Sequence, residues 1–160
     1  MTLPYPSPHA RDQGVESSVA VLRDHGLRVS SARRLVLEAL SRAPGPITAE
    51  SIASGLSGRL PRSDLASVYR NLETLERVGL VRCLHPGRGP ALYCLAADGR
   101  DYLVCESCRG LTTVDSARLD GVRAAIRQDF GFGARFARFP IVGMCPACES
   151  REAVADSVRP

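Results

Sequence analysis

One stretch of sequence decides the fold of the first half of this 160-residue chain: SDLASVYRNLETLERVG, at residues 63–79. Its apolar residues recur with the spacing of a single helix face, at Leu65, Val68, Leu72, Leu75 and Val78. Ser63 or Asp64 is a typical helix N-cap, and Gly79 is a typical C-terminal stop. The stretch therefore predicts an amphipathic helix that ends at Val78.

The polar side of this predicted helix carries residues that can read nucleic acid. Ser67, Arg70 and Asn71 lie on it, with Tyr69 beside them. Short donors together with Arg and Asn near a helix start can hydrogen-bond base edges and phosphates in a major groove. A solvated helix face has a similar composition, so the neighbouring elements must decide between the two interpretations.

Those neighbours predict a winged helix. Three shorter helices are expected before the long one, at Val15–His25, Ser31–Ser41 and Thr48–Leu56. Two short strands are expected after it, Val81–His85 and Ala91–Leu95, joined by the turn sequence PGRGP. Short helices, then an amphipathic helix with a polar face, then a hairpin are the elements of a winged helix. This order favours DNA binding.

Positive charge is concentrated in the same half. Residues 1–97 contain twelve Arg against eight Asp and Glu, whereas residues 98–160 contain nine of each. A basic excess fits nucleic acid, although a solvated basic face is its commoner meaning. Arg82 and Arg88 would lie where a wing meets the phosphate backbone, and Arg62 precedes the long helix as a further predicted DNA contact.

Two Cys-x-x-Cys pairs bracket the second half, Cys105 with Cys108 and Cys145 with Cys148, and 36 residues separate them. Two such turns complete the tetrahedral four-cysteine shell of structural zinc. Reduced thiols, as in a cytoplasmic protein, favour a metal over disulfides. We therefore expect a small α/β domain held by Zn²⁺, because so short a segment can build only a small core.

The remaining segments have simpler compositions. No apolar run approaches the length of a membrane span, and the first residues lack the pattern of a signal peptide, so a cytoplasmic protein without a membrane partner is expected. The fold class is α+β. The predicted boundaries are a disordered arm at 1–14, a winged-helix domain at 15–96, a hinge at 97–100, a dimerisation domain at 101–148 and a disordered tail at 149–160.

Several motifs resemble the ferric-uptake-regulator family of bacterial metal-responsive repressors. They are, in chain order, GLRVSSAR at 26–33, TAESI at 48–52, ASVYRNL at 66–72, GLV at 79–81, LVCESC at 103–108 and GMCPAC at 143–148. The resemblance implies a DNA-binding homodimer with structural zinc, acting on a palindromic operator. It also implies DNA contacts by Tyr69 and Arg70, and it matches Arg33 to an Arg of the family.

The sequence departs from the family where a histidine-rich sensing site between the domains is usual. It contains three histidines only, His9, His25 and His85, and residues 99–102 read GRDY where the family has a His-x-His run. The usual iron site and the histidine site of the peroxide sensors therefore cannot be assembled in their ordinary form.

A different site is predicted in the wing. If the hairpin is symmetric about Arg88 and Gly89, Cys83 lies opposite Cys94, and His85 shares their face. Two thiolates and an imidazole suit a second, regulatory Zn²⁺. The expected fourth ligand is Asp98 or Asp101 in the following linker, and a Cys in the second wing strand also resembles the zinc-sensing branch.

The resulting prediction is a zinc-responsive repressor, with hinge metal favouring the DNA-binding arrangement. The alternative is a regulator that does not sense metal. It would bind DNA constitutively, or respond to redox through Cys83 and Cys94. An enzyme is not expected, nor is a small-molecule substrate, because no thioredoxin-like context surrounds either Cys-x-x-Cys pair and no catalytic constellation is present.

Overall fold

The computed structural model describes residues 8–86, 89–136 and 139–157. Within these ranges the first half consists of helices followed by a hairpin, and the second half is a small sheet with helices. The elements of the first half are α1 (Pro8–Asp24), α2 (Ser31–Arg42), α3 (Ala49–Ala53), α4 (Gly55–Gly58), α5 (Leu65–Arg77), β1 (Val81–Leu84) and β2 (Leu92–Leu95).

Helix α5 confirms the prediction made from its apolar spacing. Asp64 is the N-cap, and its Oδ2 accepts a hydrogen bond of 2.7 Å from the backbone N–H of Ser67. The chain leaves the helix through Gly79, whose φ of 74° is readily adopted only by glycine. Val68, Leu72 and Leu75 of the apolar stripe are buried in the interior of the first half, whereas Leu65 at the start of the helix is exposed.

That interior is a single hydrophobic core. It combines residues from four helices and both wing strands, and a buried aliphatic side chain of this kind contributes about 1.5–3 kcal/mol. Its fully buried members include Leu22, Val36, Leu37, Ala49, Ile52, Val68, Leu72, Leu75 and Val81.

The third helix is shorter than predicted. Thr48 caps it as expected, accepting from the backbone N–H of Ser51, but the helix ends at Ala53 rather than Leu56. Gly55 follows with φ 74°, and a Cβ there would lie 2.1 Å from the carbonyl oxygen of Leu60. This close approach turns the chain toward α5, so that α4 is a distorted turn rather than a continuation of the helix.

Both ends of the chain contain more helix than expected. Helix α1 begins at Pro8, so residues 8–14 of the expected arm are helical. The last helix covers residues 149–157 of the predicted disordered tail. Each helix starts at a proline, which suits a first helical position because no backbone N–H is needed there.

The wing hairpin has a register that differs from the predicted one by a single residue. Cys83 pairs with Tyr93 and Arg82 pairs with Cys94, whereas Cys83 opposite Cys94 was expected. A tertiary contact accounts for this register: Tyr93 exchanges two backbone hydrogen bonds with Ile47, of 2.8 and 3.0 Å. A one-residue shift moves every side chain of a strand to the other face.

The second half contains a three-stranded sheet, in the spatial order β4 (Leu111–Asp115), β3 (Arg100–Cys105) and β5 (Ile141–Gly143). Strand β4 runs antiparallel to β3, and β5 runs parallel to it. The other elements are α6 (Asp120–Phe130) and α7 (Pro146–Ser157), with short 3₁₀ turns at Ala96–Asp98 and Ser116–Leu119.

Helix α6 has no fully buried residue. Val122 is 44% exposed and Ile126 is only half-buried. Other large apolar side chains of the second half are also exposed, namely Phe130, Phe132, Phe139 and Val142. No described element of the same chain covers them, so this half presents an apolar surface.

Across the described ranges, none of the helices is both long and apolar enough to cross a membrane.

Candidate functional site

The four paired cysteines come together in the second half. Cys105 ends β3, and Cys145 lies two residues beyond β5. The two cysteines come close to each other because Cys105 pairs with Gly143 in the parallel part of the sheet. All four Sγ atoms lie within 4.8 Å of one another. The sheet thus brings two sequence-distant Cys-x-x-Cys turns into a single cluster.

The spacing of the thiols fits a tetrahedral zinc site. Sulfur atoms about 2.3 Å from a central zinc ion lie about 3.8 Å apart, and the Sγ atoms of Cys108 and Cys145 are 3.8 Å apart. Four soft sulfur donors without a histidine or carboxylate suit Zn²⁺ better than a hard cation. Zinc bound there would cross-link β3 to the start of α7.

Hydrogen-bond donors around the cluster favour the metal-binding thiolate form at two of the four cysteines. The pKa of Cys105 is lowered to about 6, mainly by donors at Cys108 and then by the backbone N–H of Cys145. The pKa of Cys148 is also lowered, first by the hydroxyl of Ser107 and, less strongly, by Arg151. Against the lowering effect of the backbone N–H of Gly110, the neighbouring thiols raise the pKa of Cys108 to about 11.

The arginine in this shell was missed in the sequence. Arg151 Nη2 donates to Cys148 Sγ at 2.9 Å, and Arg151 Nε donates to the carbonyl oxygen of Ala147. It lies within the segment predicted to be a disordered tail. A cation three residues after the last cysteine, on the same helix face, is the signal that could have identified it.

The two remaining cysteines do not form the predicted site. Cys83 belongs to the core of the first half, whereas Cys94 lies on the opposite face of the hairpin with Leu84 and Tyr102. Burial raises the pKa of the Cys94 thiol, although Arg82 and Tyr102 act to lower it. Two thiols on opposite faces can neither bind one ion nor form a disulfide, so both predictions are wrong for this arrangement.

The other proposed ligands have different partners. His85 is exposed, and its Nε2 lies 3.8 Å from Cys83 Sγ. Asp98 is ion-paired with Arg100, and buried Asp101 is ion-paired with Arg123. In the described part of the chain, the four-cysteine cluster is the only group of three or more His, Cys, Asp or Glu side chains close enough to hold a metal.

Helix α5 presents part of its predicted DNA-reading face. Tyr69 is 43% exposed, Arg70 and Arg62 are exposed, and Ser67 is half-buried. Asn71 is buried instead, and its Nδ2 donates to the carbonyl oxygen of Ser67 at 2.9 Å. Residue 71 lies between positions 68 and 75 of the apolar stripe, which explains why it faces inward.

The remaining predicted DNA contacts lie away from this helix. Arg33 is half-buried, and its guanidinium donates to the carbonyl oxygen of Arg28. Arg82 points toward the second half of the chain, where its Nη2 donates to the carbonyl oxygen of Arg100. Arg88 lies outside the described residues.

An acidic residue orients the tyrosine on this face. The hydroxyl of Tyr69 donates to Glu50 Oε1 at 3.1 Å, joining α5 to the start of α3. The pKa of Glu50 is lowered by backbone N–H donors, then by Thr48 and by Tyr69. The carboxylate therefore stays ionised and accepts the tyrosine hydroxyl.

Comparisons with known proteins agree on one family. A sequence model described as "Ferric uptake regulator family" matches residues 24–139. The Peroxide operon regulator of Bacillus subtilis (strain 168) is 27% identical over 138 residues, covering 86% of this chain and 95% of that protein.

Two solved structures extend the likeness to the fold. The ferric uptake regulator of Pseudomonas aeruginosa, solved with manganese, is 27% identical with a TM-score of 0.64, covering 81% of this chain and 98% of that chain. A zinc uptake regulator complexed with zinc and DNA has a TM-score of 0.56 at 21% identity, covering 89% of this chain and 97% of that chain.

Proposed function

Because the chain belongs to the ferric uptake regulator family, we propose that it is a zinc-dependent transcriptional repressor that binds a palindromic DNA operator as a homodimer. Its curated relatives are regulators, so the chain is a DNA-binding regulator and not an enzyme. The observation that carries the choice of zinc is the cluster of four thiols within 4.8 Å.

The DNA-binding part of the proposal rests on helix α5 and its surroundings. Exposed Tyr69 and Arg70 lie on the face that is not buried in the core. A zinc uptake regulator of the same fold binds both zinc and DNA. In this chain, α5 would enter the major groove, with Tyr69 held by Glu50 and Arg70 free to reach a base edge or a phosphate.

The homodimer rests on the apolar surface of the second half. Val122 of α6 and Val142 of β5 are 44% and 48% exposed, and a second copy that covers them would remove this surface from water. Two copies related by a two-fold axis would present two α5 helices to the two halves of a palindrome.

The four cysteines would hold Zn²⁺ in this scheme, and the bound ion would supply a cross-link. Cys105 ends the central strand β3 and Cys108 lies in the turn after it, while Cys145 and Cys148 lie at the start of α7, so the clip would stabilise the same half that carries the apolar surface. Removal of zinc would loosen this half, weaken the dimer and reduce the affinity for a two-part operator. A zinc signal also fits the absence of the histidines used by iron and peroxide sensors, and a cytoplasmic location follows from the proposed DNA target.

A binding measurement tests the proposal. The zinc-loaded protein is first used to select an operator from a random-sequence DNA library. We expect one zinc per subunit, a loss of affinity of at least about 100-fold with a strong chelator, and recovery with added Zn²⁺. Manganese and ferrous iron, added alone, serve as controls for metal identity. Unchanged operator binding by the chelated protein would refute zinc dependence.

A further inference from the structure

We propose that Arg82 is a positioning residue that sets the orientation of the DNA-binding half relative to the zinc-bearing half, so that a side chain of the protein itself holds the hinge. This inference rests on the proposed DNA-binding function. It assigns to Arg82 the task that a second metal ion was predicted to perform.

The contacts of Arg82 join the two halves directly. The residue lies on β1 of the wing, and its Nη2 donates to the backbone carbonyl of Arg100 on β3 at 2.8 Å. Its guanidinium carbon lies 5.9 Å from the centre of the Tyr102 ring, which is the range of a cation–π contact. One side chain of the wing therefore engages two residues of the strand that starts the second half.

The surface that receives Arg82 is itself held in place. The hydroxyl of Tyr102 donates to Asp98 Oδ2 at 2.9 Å, and Arg100 Nε donates to Asp98 Oδ1 at 2.8 Å. Asp98 thus fixes both partners of Arg82 from within the hinge. The carboxylate expected to bind a metal is instead committed to an arginine and a tyrosine.

Apolar packing surrounds the polar contacts. Leu84, Cys94 and Tyr102 are all less than 5% exposed and form a second, smaller core, against which Leu92 and Leu111 pack. The observed hairpin register creates this arrangement, because it places Arg82, Leu84 and Cys94 on the face opposite to Cys83. The wing consequently has one face in the core of the first half and the other against the second half.

The geometry makes a specific demand on residue 82. A planar guanidinium can donate to a carbonyl while lying over an aromatic ring, whereas the ammonium of Lys is a compact point charge. Substitution by Lys should therefore retain the charge and lose part of the orientation. Substitution by Ala should remove both contacts.

The experiment compares full-length, zinc-loaded Arg82→Ala, Arg82→Lys and Arg77→Ala with the wild type. Arg77 is an exposed arginine of the same half that forms an ion pair with Glu73 on its own helix, so its removal controls for the lost charge. Binding is measured to the selected operator and to operators whose half-sites are moved apart by one to four base pairs. Zinc content and thermal unfolding are recorded for each variant.

For wild type and Arg77→Ala we expect a steep loss of affinity as the half-sites move apart. For Arg82→Ala we expect about tenfold weaker binding at the selected spacing and a flatter dependence on spacing, with one zinc per subunit retained. Arg82→Lys should lie between the two. A uniform loss at every spacing would instead indicate a DNA contact and would overturn the proposal, as would wild-type spacing dependence in Arg82→Ala.

A measurement without DNA keeps this inference separate from the proposed function. Small-angle X-ray scattering of the free proteins should show a larger radius of gyration for Arg82→Ala than for Arg77→Ala. If the wild type does not bind DNA, or binds it equally well without zinc, the proposed function is wrong. The scattering comparison still tests whether Arg82 sets the orientation of the two halves. If Arg82→Ala does not fold, Arg82→Lys carries the comparison, and scattering identical to the wild type then overturns the inference.

Discussion

The two halves of the molecule bury their apolar residues in different ways. In the first half, Val68, Leu72 and Leu75 of α5 are at most 1% exposed. In the second half, Phe130 and Phe132 remain 79% and 68% exposed, and α6 has no fully buried residue. The first half buries its core within a single chain, whereas the second half leaves large apolar side chains exposed that the proposed dimer partner would cover.

The largest expected effect comes from breaking the clip with Cys105→Ser. Three thiols cannot complete the tetrahedral shell, so we expect loss of zinc and loss of hydrogen-exchange protection in residues 101–148, while the core of the first half stays protected. Zinc analysis and hydrogen exchange measure both effects.

The matched control for that experiment is Cys94→Ala, in which the clip is intact. It should retain one zinc per subunit. If the Cys105→Ser protein keeps both its zinc and its protection pattern, the two halves do not differ in their dependence on metal.

The opposite test weakens the self-sufficient half. Leu72→Ala removes a fully buried side chain, and such truncations cost about 2–5 kcal/mol of the free energy of unfolding. Leu65→Ala, on the same helix but 38% exposed, should cost less than about 1 kcal/mol. Urea denaturation monitored by circular dichroism gives both values. Equal costs at the two sites would mean that the core of the first half is not organised as described.

A charge on the exposed surface of the second half sharpens the comparison. Val122→Asp should raise the dissociation constant of the dimer by at least about tenfold, because a desolvated, unpaired carboxylate is costly at an interface. Sedimentation equilibrium measures the constant, and circular dichroism checks that the subunit remains folded. Gln128→Asp, also exposed on α6, introduces the same charge as a control. Unaltered association of the Val122→Asp protein would place the partner surface elsewhere.

The smallest expected effect concerns the DNA-reading face. Glu50→Ala removes the acceptor of the Tyr69 hydroxyl. The dissociation constant for the operator should therefore differ by a few-fold from that of the wild type. Glu50→Ala removes the same negative charge whether residue 69 is Tyr or Phe. A double-mutant cycle with Tyr69→Phe therefore isolates the contribution of the hydrogen bond. A coupling energy of about 0.5–1.5 kcal/mol is expected. Complete additivity of the two substitutions would show that Glu50 does not position the tyrosine.

Local signals predicted the elements of the site better than their contacts. The cap at Asp64 and the apolar stripe located α5 because a helix is specified by neighbours three and four residues apart. The same reasoning misassigned Asn71 to the exposed face, since its position borders the stripe and only packing decides on which side it lies. Arg151 was missed because its partner Cys148 becomes a thiolate site only when distant strands assemble.

By itself, the sequence determined the helices of the first half, the α+β class and the four cysteines suited to zinc. It could do so because periodicity, helix caps and Cys-x-x-Cys spacing are signals that act over a few residues. Tertiary structure alone decided the wing register, and with it the separation of Cys83 from Cys94 and the direction of Arg82. The physical reason is that a hairpin with a long loop has several registers of similar local energy. The bridge between Ile47 and Tyr93, together with packing on both faces of the wing, selects one of them.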